Sequence, residues 1–580
     1  MKTIAKLWSI LEPREKAAAG GLVLLMIVSM VLEMVGLGLV VPGLTLMTGG
    51  TDTAIFRHLP ESLAWIATAD RSTMLLCGLG ALLGLYVFKA AFVLFATWRQ
   101  LKFTEQLQNR LAERLFTVYL GQPWTFHLQR NSATLIRTIT DVTPMCGAVT
   151  ALLGALAEVL AVLGIMATLV WFAPVGAITV GILAAVATMV LDRITRKRLV
   201  RWGAMSHKHN ALGYQHLMQG LNGVKDVIVY GCERGFIEPF VTHRNKFVQF
   251  LTRQSFVGAI PRVWYEILAI GSLCVLTVVL HLQGLDPQAM IPTLGLFAAA
   301  SFKMLPSINR LAQAAQALRF SQAHIDVIHS ELGLQPRPLV DRPASQPMHF
   351  ERSIAVEDVT CRYPGADRDA LEGVSFTIRP GTSVGIIGGS GAGKSTLVDV
   401  ILGLITPRRG RVTVDGVDIA ADVRAWQRLI GYVPQSIYLC DDTLRRNVAF
   451  GVTDEHFDQT AFDRAIRAAR LDDFVATLPD GERTIVGERG VRLSGGQRQR
   501  IGIARALYHD PTVLVLDEAT SALDTDTERE VMQAVNALHG TKTLIIIAHR
   551  LSTVSACDTI YRLERGRVVK AGTFQEICPS

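Results

Sequence analysis

The chain has 580 residues, of which 50% are hydrophobic and only 19% are charged, and its mean hydropathy is +0.32. Because ordinary soluble proteins contain about a quarter of charged residues, this composition excludes a wholly soluble chain and predicts a membrane domain. The net charge of +8 suits either nucleic acid or an anionic membrane surface, and the positions of the charges must decide between these partners.

Six apolar runs within the first 320 positions are long enough to cross a hydrocarbon core of about 30 Å. The connections after the second and fourth runs are rich in arginine and lysine, whereas those after the third and fifth contain neither. By the positive-inside rule, both termini are therefore expected in the cytoplasm. The basic residues then reflect topology and attraction to anionic membrane lipids, which argues against nucleic acid as a partner. The runs are 17–42, 74–97, 145–170, 174–191, 257–281 and 289–312.

The two basic connections are mostly free of proline, so the spans beside them are expected to continue into the cytoplasm as helical rods. Segments 122–141 and 220–233 are expected to form helix-turn-helix tips that touch a second domain. The outer segment 54–67 is short and amphipathic, and it is interpreted either as a capping loop or as a helix at the membrane surface.

Ionisable residues lie within the predicted spans, where burying each charge in the bilayer costs several kcal/mol of free energy unless the residue is paired or faces water. One interpretation of these three acids and three bases is internal ion pairing that sets the helix register. The other is a water-filled cavity in which Lys89, Arg262 and Lys303 bind a polyanionic head group, because charged hydrogen bonds to phosphate are strong. The sequence leaves both open. The six residues are Glu33, Lys89, Glu158, Arg262, Glu266 and Lys303.

A change of composition marks a domain boundary after the last apolar run. Residues 334–349 are interpreted as a linker, because four prolines lie between positions 334 and 348 without a long apolar run. The membrane domain then covers 1–333 and a second domain covers 350–580. In the second domain, short β-branched stretches alternate with helical patterns, which predicts an α/β fold with a parallel sheet.

A phosphate-binding loop follows the first buried strand of this domain, since its residues satisfy the pattern GxxxxGK[ST]. Glycines let the backbone curl around phosphates with its N–H groups pointing inward. Lys394 is expected to reach the β- and γ-phosphates of ATP, and Ser395 to ligate Mg²⁺. The loop consists of Gly388, Gly389, Ser390, Gly391, Ala392, Gly393, Lys394, Ser395 and Thr396.

A second apolar strand, 513–516, ends in two acids. Asp517 is expected beside Mg²⁺, and Glu518 is expected to act as the general base that polarises the attacking water.

Between these elements, residues 493–497 read LSGGQ, and with this motif the chain resembles the nucleotide-binding domain of ATP-binding cassette (ABC) proteins. The resemblance implies that Tyr363 stacks on adenine and that Gln435 couples Mg²⁺ to the membrane domain. It also implies that His549 contacts the γ-phosphate and that the segment 521–524, with Asp524, crosses a dimer seam. The signature residues that would complete the partner's ATP site are Ser494, Gly495, Gly496 and Gln497.

The order of the domains resembles that of ABC exporters, as does the segment TIVGERG at 484–490. The implied fold is a bundle of six transmembrane helices of the type IV exporter kind, fused to an α/β P-loop NTPase domain. A single copy of each domain implies a half-transporter that acts as a homodimer in a bacterial inner membrane and hydrolyses two ATP molecules at the interface.

The cargo is constrained less tightly, because fold does not determine substrate. The segments PRVWYE at 261–266 and KMLPSINR at 303–310 are similar to bacterial lipid-linked oligosaccharide flippases. The expected function is therefore ATP-driven flipping of a lipid-linked glycan or a related anionic glycolipid. Export of lipid A-core or of drugs and other amphiphiles is the alternative within this class. An ATP-gated channel or regulator is disfavoured by the intact motifs, and a soluble ATPase clamp is disfavoured by the six spans.

Overall fold

The computed structural model of the protein describes residues 2–38, 71–172, 174–282, 287–335, 348–487, 490–491, 493–519, 525–548 and 550–577. Its contacts divide the chain into two compact units. The first consists of Met1–Gln122 with Arg130–Arg337, and the second of Pro123–Gln129 with Pro338–Ser580. The division at 337 falls inside the predicted linker.

The described residues of the first unit are largely helical, and within them each of the six predicted spans falls in a separate long helix, the first span as far as Gly38. Four stretches are long and apolar enough to cross a membrane among the residues searched, namely Pro13–Gly36, Leu82–Leu120, Ser132–Ala167 and Glu233–Val278. The helices between residues 2 and 332 are α1 (Lys2–Ile10), α2 (Pro13–Gly38), α3 (Arg71–Leu120), α4 (Trp124–Gln129), α5 (Ser132–Thr140), α6 (Val142–Phe172), α7 (Pro174–Asn222), α8 (Val224–Tyr230), α9 (Glu233–Leu282), α10 (Pro287–Phe320) and α11 (Gln322–Leu332).

Helices α3, α7 and α9 have the length expected of the predicted rods, because they contain 50, 49 and 50 residues, whereas α6, which holds the third span, contains 31. At about 1.5 Å of rise per residue, each of the three rods is roughly 75 Å long, more than twice the thickness of a hydrocarbon core. Helices α7 and α9 pack along one another, as do α6 and α10.

Short helices join the rods at the two predicted tips. Asn131 caps α5, since its side chain accepts a hydrogen bond from the backbone N–H of Ala133. Helix α8 ends at Gly231, which has a φ of 60°. Glycine enters this left-handed region without the steric penalty of a Cβ, so the chain reverses into α9 at this point.

The second unit contains two β-sheets. A four-stranded antiparallel sheet has the order β2-β1-β4-β5, and a six-stranded sheet has the order β10-β9-β3-β8-β7-β6. In the larger sheet, neighbouring strands are parallel except for β9 with β10. The strands are β1 (Ile354–Cys361), β2 (Leu371–Ile378), β3 (Ser383–Gly388), β4 (Arg409–Val414), β5 (Val417–Asp418), β6 (Ile430–Val433), β7 (Val513–Asp517), β8 (Thr543–Ile547), β9 (Thr559–Glu564) and β10 (Arg567–Gly572).

Helices of the second unit cover the larger sheet on both faces. They are α12 (Lys394–Ile401), α13 (Val423–Arg428), α14 (Leu444–Val448), α15 (Gln459–Ala468), α16 (Asp472–Thr477), α17 (Gly495–Leu507), α18 (Thr525–Asn536), α19 (Leu551–Val554) and α20 (Phe574–Ile577), with 3-10 turns at Ile419–Ala421, Asp454–His456 and Gly481–Arg483.

Strand β7 shows why its sequence is a continuous apolar run. Val513 and Val515 belong to one buried core and Leu514 and Leu516 to the other, because successive side chains point to opposite faces of a sheet. Strands β3, β8 and β7 are parallel, so their carboxyl ends meet at one edge. The phosphate-binding loop after β3 and the acids after β7 therefore come to the same edge of the sheet, where α/β proteins bind ligands.

Candidate functional site

The loop between β3 and α12 is shaped by glycines that no larger residue could replace. Gly393 has a φ of 101°, and a Cβ at this position would lie 2.6 Å from the carbonyl oxygen of Ala370. A Cβ on Gly388 would lie 2.5 Å from the carbonyl oxygen of Leu563. Both contacts are closer than carbon and oxygen tolerate. The loop is thus held tightly against its neighbours, at the amino end of a helix whose partial positive charge favours an anion.

Lys394 is buried at the base of this loop, with 5% of the residue exposed. Its ammonium group donates hydrogen bonds to the carbonyl oxygens of Gly388 at 2.9 Å and Gly389 at 3.2 Å. The Nζ atom also lies 4.0 Å from Oε1 of Glu518. A buried lysine charge beside the loop supplies the attraction that a phosphate group needs.

The two acids at the end of β7 occupy different environments. Oδ1 of Asp517 is buried and has no hydrogen-bond partner among the described residues. Glu518 has a φ of 49°, a region that residues other than glycine rarely adopt and that costs about 1–3 kcal/mol. Its N–H donates to the carbonyl oxygen of Ile547 at 3.0 Å, and its Oε2 accepts a hydrogen bond of 2.7 Å from the amide of Gln435. The turn thus aims the Glu518 carboxylate at Gln435 and Lys394.

Several carboxylates lie close together at this edge of the sheet, and two of them, Asp399 and Asp517, have a raised pKa. Burial, followed by the charge of Asp517, raises the pKa of Asp399 to about 6. Burial and the charge of Glu518 raise the pKa of Asp517, while Lys394 and a hydrogen bond from Tyr432 oppose this shift. Such a cluster favours a cation, because a positive charge beside the carboxylates stabilises their ionised forms.

The side chain of Asp517 suits a magnesium ligand. The buried Oδ1 atom without a partner is an available ligand, and hard divalent cations prefer carboxylate and hydroxyl oxygens. Ser395 at the first turn of α12 is exposed and supplies a hydroxyl on the loop side.

Tyr363 is half-buried, and its hydroxyl group reaches the first turns of α12. The hydroxyl lies 3.2 Å from Oγ1 of Thr396 and donates to Oδ2 of Asp399 at 3.5 Å. Its ring also packs against the buried core beside the loop. The stacking of Tyr363 on adenine stays a prediction.

The signature residues form the start of helix α17. The hydroxyl of Ser494 accepts from the backbone N–H of Gln497 at 3.2 Å, and the side chain of Gln497 accepts from the N–H of Ser494 at 2.8 Å. This reciprocal pair is a capping box. Gly496 is tightly packed, because a Cβ there would lie 2.2 Å from a methyl carbon of Thr527. The capping box and the packing of Gly496 therefore fix the first turn of α17, where Gly495 adds no side chain.

Some predicted site residues lie outside the described part of the chain. They are His549, Asp524 with the rest of the segment 521–524, and the side chain of Lys303. The linker residues 336–347 and the outer segment 54–67 also lie outside the described part. In the other direction, the sequence analysis missed Asp399 and Tyr432, which the fold brings beside Asp517. Tyr432 begins the segment YVPQ at 432–435 that ends in Gln435, but its own contact with Asp517, like that of Asp399, follows from its position at the end of the sheet.

In the first unit, a cavity of about 540 Å³ lies among helices α2, α3, α6 and α10. Its wall is largely apolar and includes three charged residues, Glu33, Glu158 and Arg310. Arg310 contacts Glu158 through two hydrogen bonds, from Nε to Oε1 at 2.5 Å and from Nη2 to Oε2 at 3.1 Å. A cavity of this size accommodates a small ligand or the head group of a larger one.

The structure supports ion pairing for one of the three predicted anion-binding cations. Lys89 forms a salt bridge with Glu33, and both side chains are less than a fifth exposed. Arg262, directly after Pro261 in α9, is exposed and does not line this cavity. Arg310, which the sequence analysis did not include among the intramembrane charges, lines it instead.

Comparison with known families matches both units of the chain. The family described as "ABC transporter transmembrane region" matches residues 44–304, and the family described as "ABC transporter" matches residues 371–521.

Three curated relatives, each named "ATP-dependent lipid A-core flippase", align with most of the chain. The protein from Aromatoleum aromaticum is 32% identical over 81% of this chain and 78% of its own length. The protein from Ralstonia nicotianae is 32% identical over 87% of this chain and 85% of its own length. The protein from Xanthomonas campestris pv. campestris is 30% identical over 85% of this chain and 84% of its own length.

A solved structure, described as that of a bacterial Atm1-family ABC exporter with ATP bound, shares the fold. The TM-score is 0.80 over 97% of this chain and 96% of the other, at 24% sequence identity.

Proposed function

The chain belongs to the ABC transporter family and is a membrane-embedded exporter that couples ATP hydrolysis to transport, and from this premise we propose that it flips an anionic glycolipid across a bacterial inner membrane. The observation that carries the cargo class is the largely apolar cavity with an arginine–carboxylate pair in its wall. An apolar wall suits a lipid, and a partly satisfied guanidinium suits a negatively charged head group.

In the proposed nucleotide site, the phosphates of ATP lie against the loop from Gly388 to Thr396. Lys394 moves its hydrogen bonds from the loop carbonyls to the phosphate oxygens, and Tyr363 stacks on the adenine. The start of α12 adds its partial positive charge. These roles are supported by the burial of Lys394 and by the tight packing of Gly388 and Gly393.

The proposed hydrolytic site uses the acids at the end of β7. Glu518 accepts a proton from the attacking water, and Gln435 orients Glu518 through the hydrogen bond between them. Ser395, Asp517 and Gln435 would hold Mg²⁺, which when bound neutralises charge on the phosphate oxygens. His549 is proposed to contact the γ-phosphate.

We expect the working form to be a homodimer. One chain contributes one phosphate-binding loop and one signature helix, and the family resemblance implies that Ser494, Gly495, Gly496 and Gln497 complete the ATP site of the partner. Asp524 is proposed to lie at the seam. The capping box supports this role, because it fixes the start of α17, whose unpaired backbone N–H groups favour an anion. A mass measurement in a lipid nanodisc that gives only the monomer would contradict it.

Two glycolipid classes are the leading cargoes. The relatives' names favour lipid A-core, whose phosphates suit a cavity with a basic group. The segments at 261–266 and 303–310 favour a polyprenyl-pyrophosphate oligosaccharide, whose pyrophosphate carries the same kind of charge in a compact form.

A flipping assay on proteoliposomes tests the proposed function. Purified protein is reconstituted with lipid A-core, with a polyprenyl-pyrophosphate oligosaccharide or with an uncharged hydrophobic drug, and both ATPase rate and leaflet exposure are measured. We expect at least one anionic glycolipid to raise ATPase activity and to change leaflet only when ATP is hydrolysed. Stimulation by the drug alone, or glycolipid movement that is independent of ATP, would contradict the proposal.

Replacement of Arg310 tests whether the cavity binds the head group. Arg310→Ala is expected to raise the concentration of anionic glycolipid that gives half-maximal stimulation of ATPase activity about tenfold or more. The reason is that a charged hydrogen bond contributes about 1.5–3 kcal/mol. Glu158→Gln is expected to act oppositely, since it releases the Arg310 fork for the ligand. The measurement is the ratio of stimulated to basal ATPase activity as a function of glycolipid concentration.

The matched control for this experiment is Arg114→Ala, which removes an exposed arginine from the distal half of α3. It should respond to glycolipid like the unmodified protein. Arg310→Lys keeps the charge but loses the planar fork, so an intermediate response is expected. Equal responses of Arg310→Ala and the unmodified protein would exclude a role for this cavity in head-group binding.

A further inference from the structure

Three potential metal ligands from distant parts of the chain converge inside the first unit. Asp141 lies between α5 and α6, His207 lies on α7 and His324 lies on α11. Their nearest ligand atoms all fall within 4.8 Å of one another. The exposed side-chain fractions are 3% for Asp141, 13% for His207 and 9% for His324, so water has little access to the group.

Each histidine nitrogen lies near a different oxygen of the Asp141 carboxylate, at a separation close to that between two ligands of one ion, and the contact of His207 is also a hydrogen bond. Nε2 of His207 lies 3.1 Å from Oδ2 of Asp141, and Nδ1 of His324 lies 3.2 Å from Oδ1. Two ligands at about 2.0–2.1 Å from a tetrahedral zinc ion lie about 3.3 Å apart. The two imidazole rings meet at 80° with centroids 4.8 Å apart, so they approach the carboxylate from different directions.

His324 provides a second, independent indication of a ligand. It is buried, with 7% of the residue exposed, and its Nδ1 atom has no hydrogen-bond partner among the described residues. The distance to Asp141 is short, but the two groups are not aligned as donor and acceptor. A buried ring nitrogen in this situation is stabilised when its lone pair binds a third atom between it and the carboxylate.

We propose that Asp141, His207 and His324 bind one divalent transition-metal ion, with Zn²⁺ as the ion that this donor set suits best. Imidazole nitrogens select Zn²⁺ and its neighbours in the first transition row over Mg²⁺ and Ca²⁺, which prefer oxygen. Three protein ligands leave a fourth coordination position open. Arg137, whose Nε lies 3.5 Å from Oδ2 of Asp141, helps to hold the carboxylate in its ionised form.

The positions of the three ligands on separate elements give the bound ion a structural role. Asp141 follows the helices of the first tip, His207 lies on a long rod, and α11 is the last helix before the linker. An ion bound to all three fixes these helices against one another within the first unit. The inference does not depend on the identity of the cargo, because the three residues lie outside the cavity of about 540 Å³.

Direct zinc binding tests the proposal on the full-length protein. The purified chain is stripped with a chelator, and Zn²⁺ is titrated against a chromophoric competitor without nucleotide or Mg²⁺. One tight site per chain is expected, together with a rise in melting temperature and, with Co²⁺, the d–d absorption of a four-coordinate complex. His207→Ala and His324→Ala should each weaken binding about 100-fold or more.

Two histidine variants serve as controls. His329→Ala alters a neighbouring histidine on α11, and His243→Ala disrupts a separate pair in which Nδ1 of His209 and Nδ1 of His243 lie 2.9 Å apart. Both should retain the tight site. The proposal is overturned if stripped protein binds no zinc tightly, if His243→Ala abolishes binding, or if His207→Ala and His324→Ala bind like the unmodified protein.

Discussion

Glu518→Gln is expected to reduce ATP turnover about 100-fold or more while ATP binding persists. The substitution keeps the size of the side chain but removes the carboxylate that accepts a proton from water, and general-base catalysis typically contributes at least this factor. Steady-state hydrolysis and nucleotide binding, measured on the same purified sample, separate the two effects. We expect ATP to accumulate on a closed dimer.

The structure makes this substitution a clean test. Glu518 sits in a strained backbone conformation that is held by its own N–H, which the glutamine variant retains. The contact with Gln435 can be kept as an amide–amide hydrogen bond. Loss of turnover therefore reports on the missing carboxylate rather than on a collapsed turn.

Glu530→Gln is the matched control, because Glu530 lies on α18 of the same unit and pairs at the surface with Arg500. Its turnover should equal that of the unmodified protein. If Glu518→Gln hydrolyses ATP at a near-normal rate, another group is the general base.

Lys394→Ala is expected to weaken ATP binding roughly 30-fold or more and to suppress hydrolysis at ordinary ATP concentrations. Removal of one partner from a buried, hydrogen-bonded charge pair typically costs about 2–5 kcal/mol. In the structure the ammonium group is buried beneath the loop, where bulk solvent cannot substitute for it. Equilibrium binding of a fluorescent ATP analogue measures the loss.

Two further variants distinguish lost charge from lost packing. Lys394→Met retains most of the volume but cannot donate to the loop carbonyls or to phosphate, so it should resemble Lys394→Ala in binding. Lys570→Ala removes an exposed lysine from the edge strand β10 and should leave binding unchanged. ATP affinity of Lys394→Met within twofold of the unmodified protein would show that the charge is not needed.

The elements that the sequence predicted well are those in which neighbouring residues act together. The phosphate-binding loop, the acids after β7 and the signature helix are each continuous stretches of a few residues, so their composition reveals their geometry. Gly393 illustrates this, because its φ of 101° is a property of the loop itself. The long rods were predictable for the same reason, since helical hydrophobicity and missing prolines are local signals.

Pairs between distant positions were not predictable in this way. The sequence left two interpretations of Lys89 open, and the structure pairs it with Glu33 on another helix. Arg310 was not singled out, although it forms a two-point contact with Glu158, which lies 152 positions earlier. Which charges meet depends on the rotation of each helix about its axis, and one residue of displacement turns a side chain by about 100°.

The chain by itself therefore determined the two-part architecture, the ATP chemistry and the membrane location, because these follow from local motifs and from composition. Only the tertiary structure decided which charges line the cavity and that Asp141, His207 and His324 meet. The first two of these lie 66 positions apart, and no local pattern links them. Their convergence results from the packing register of α6, α7 and α11, which long-range contacts establish and short sequence windows do not encode.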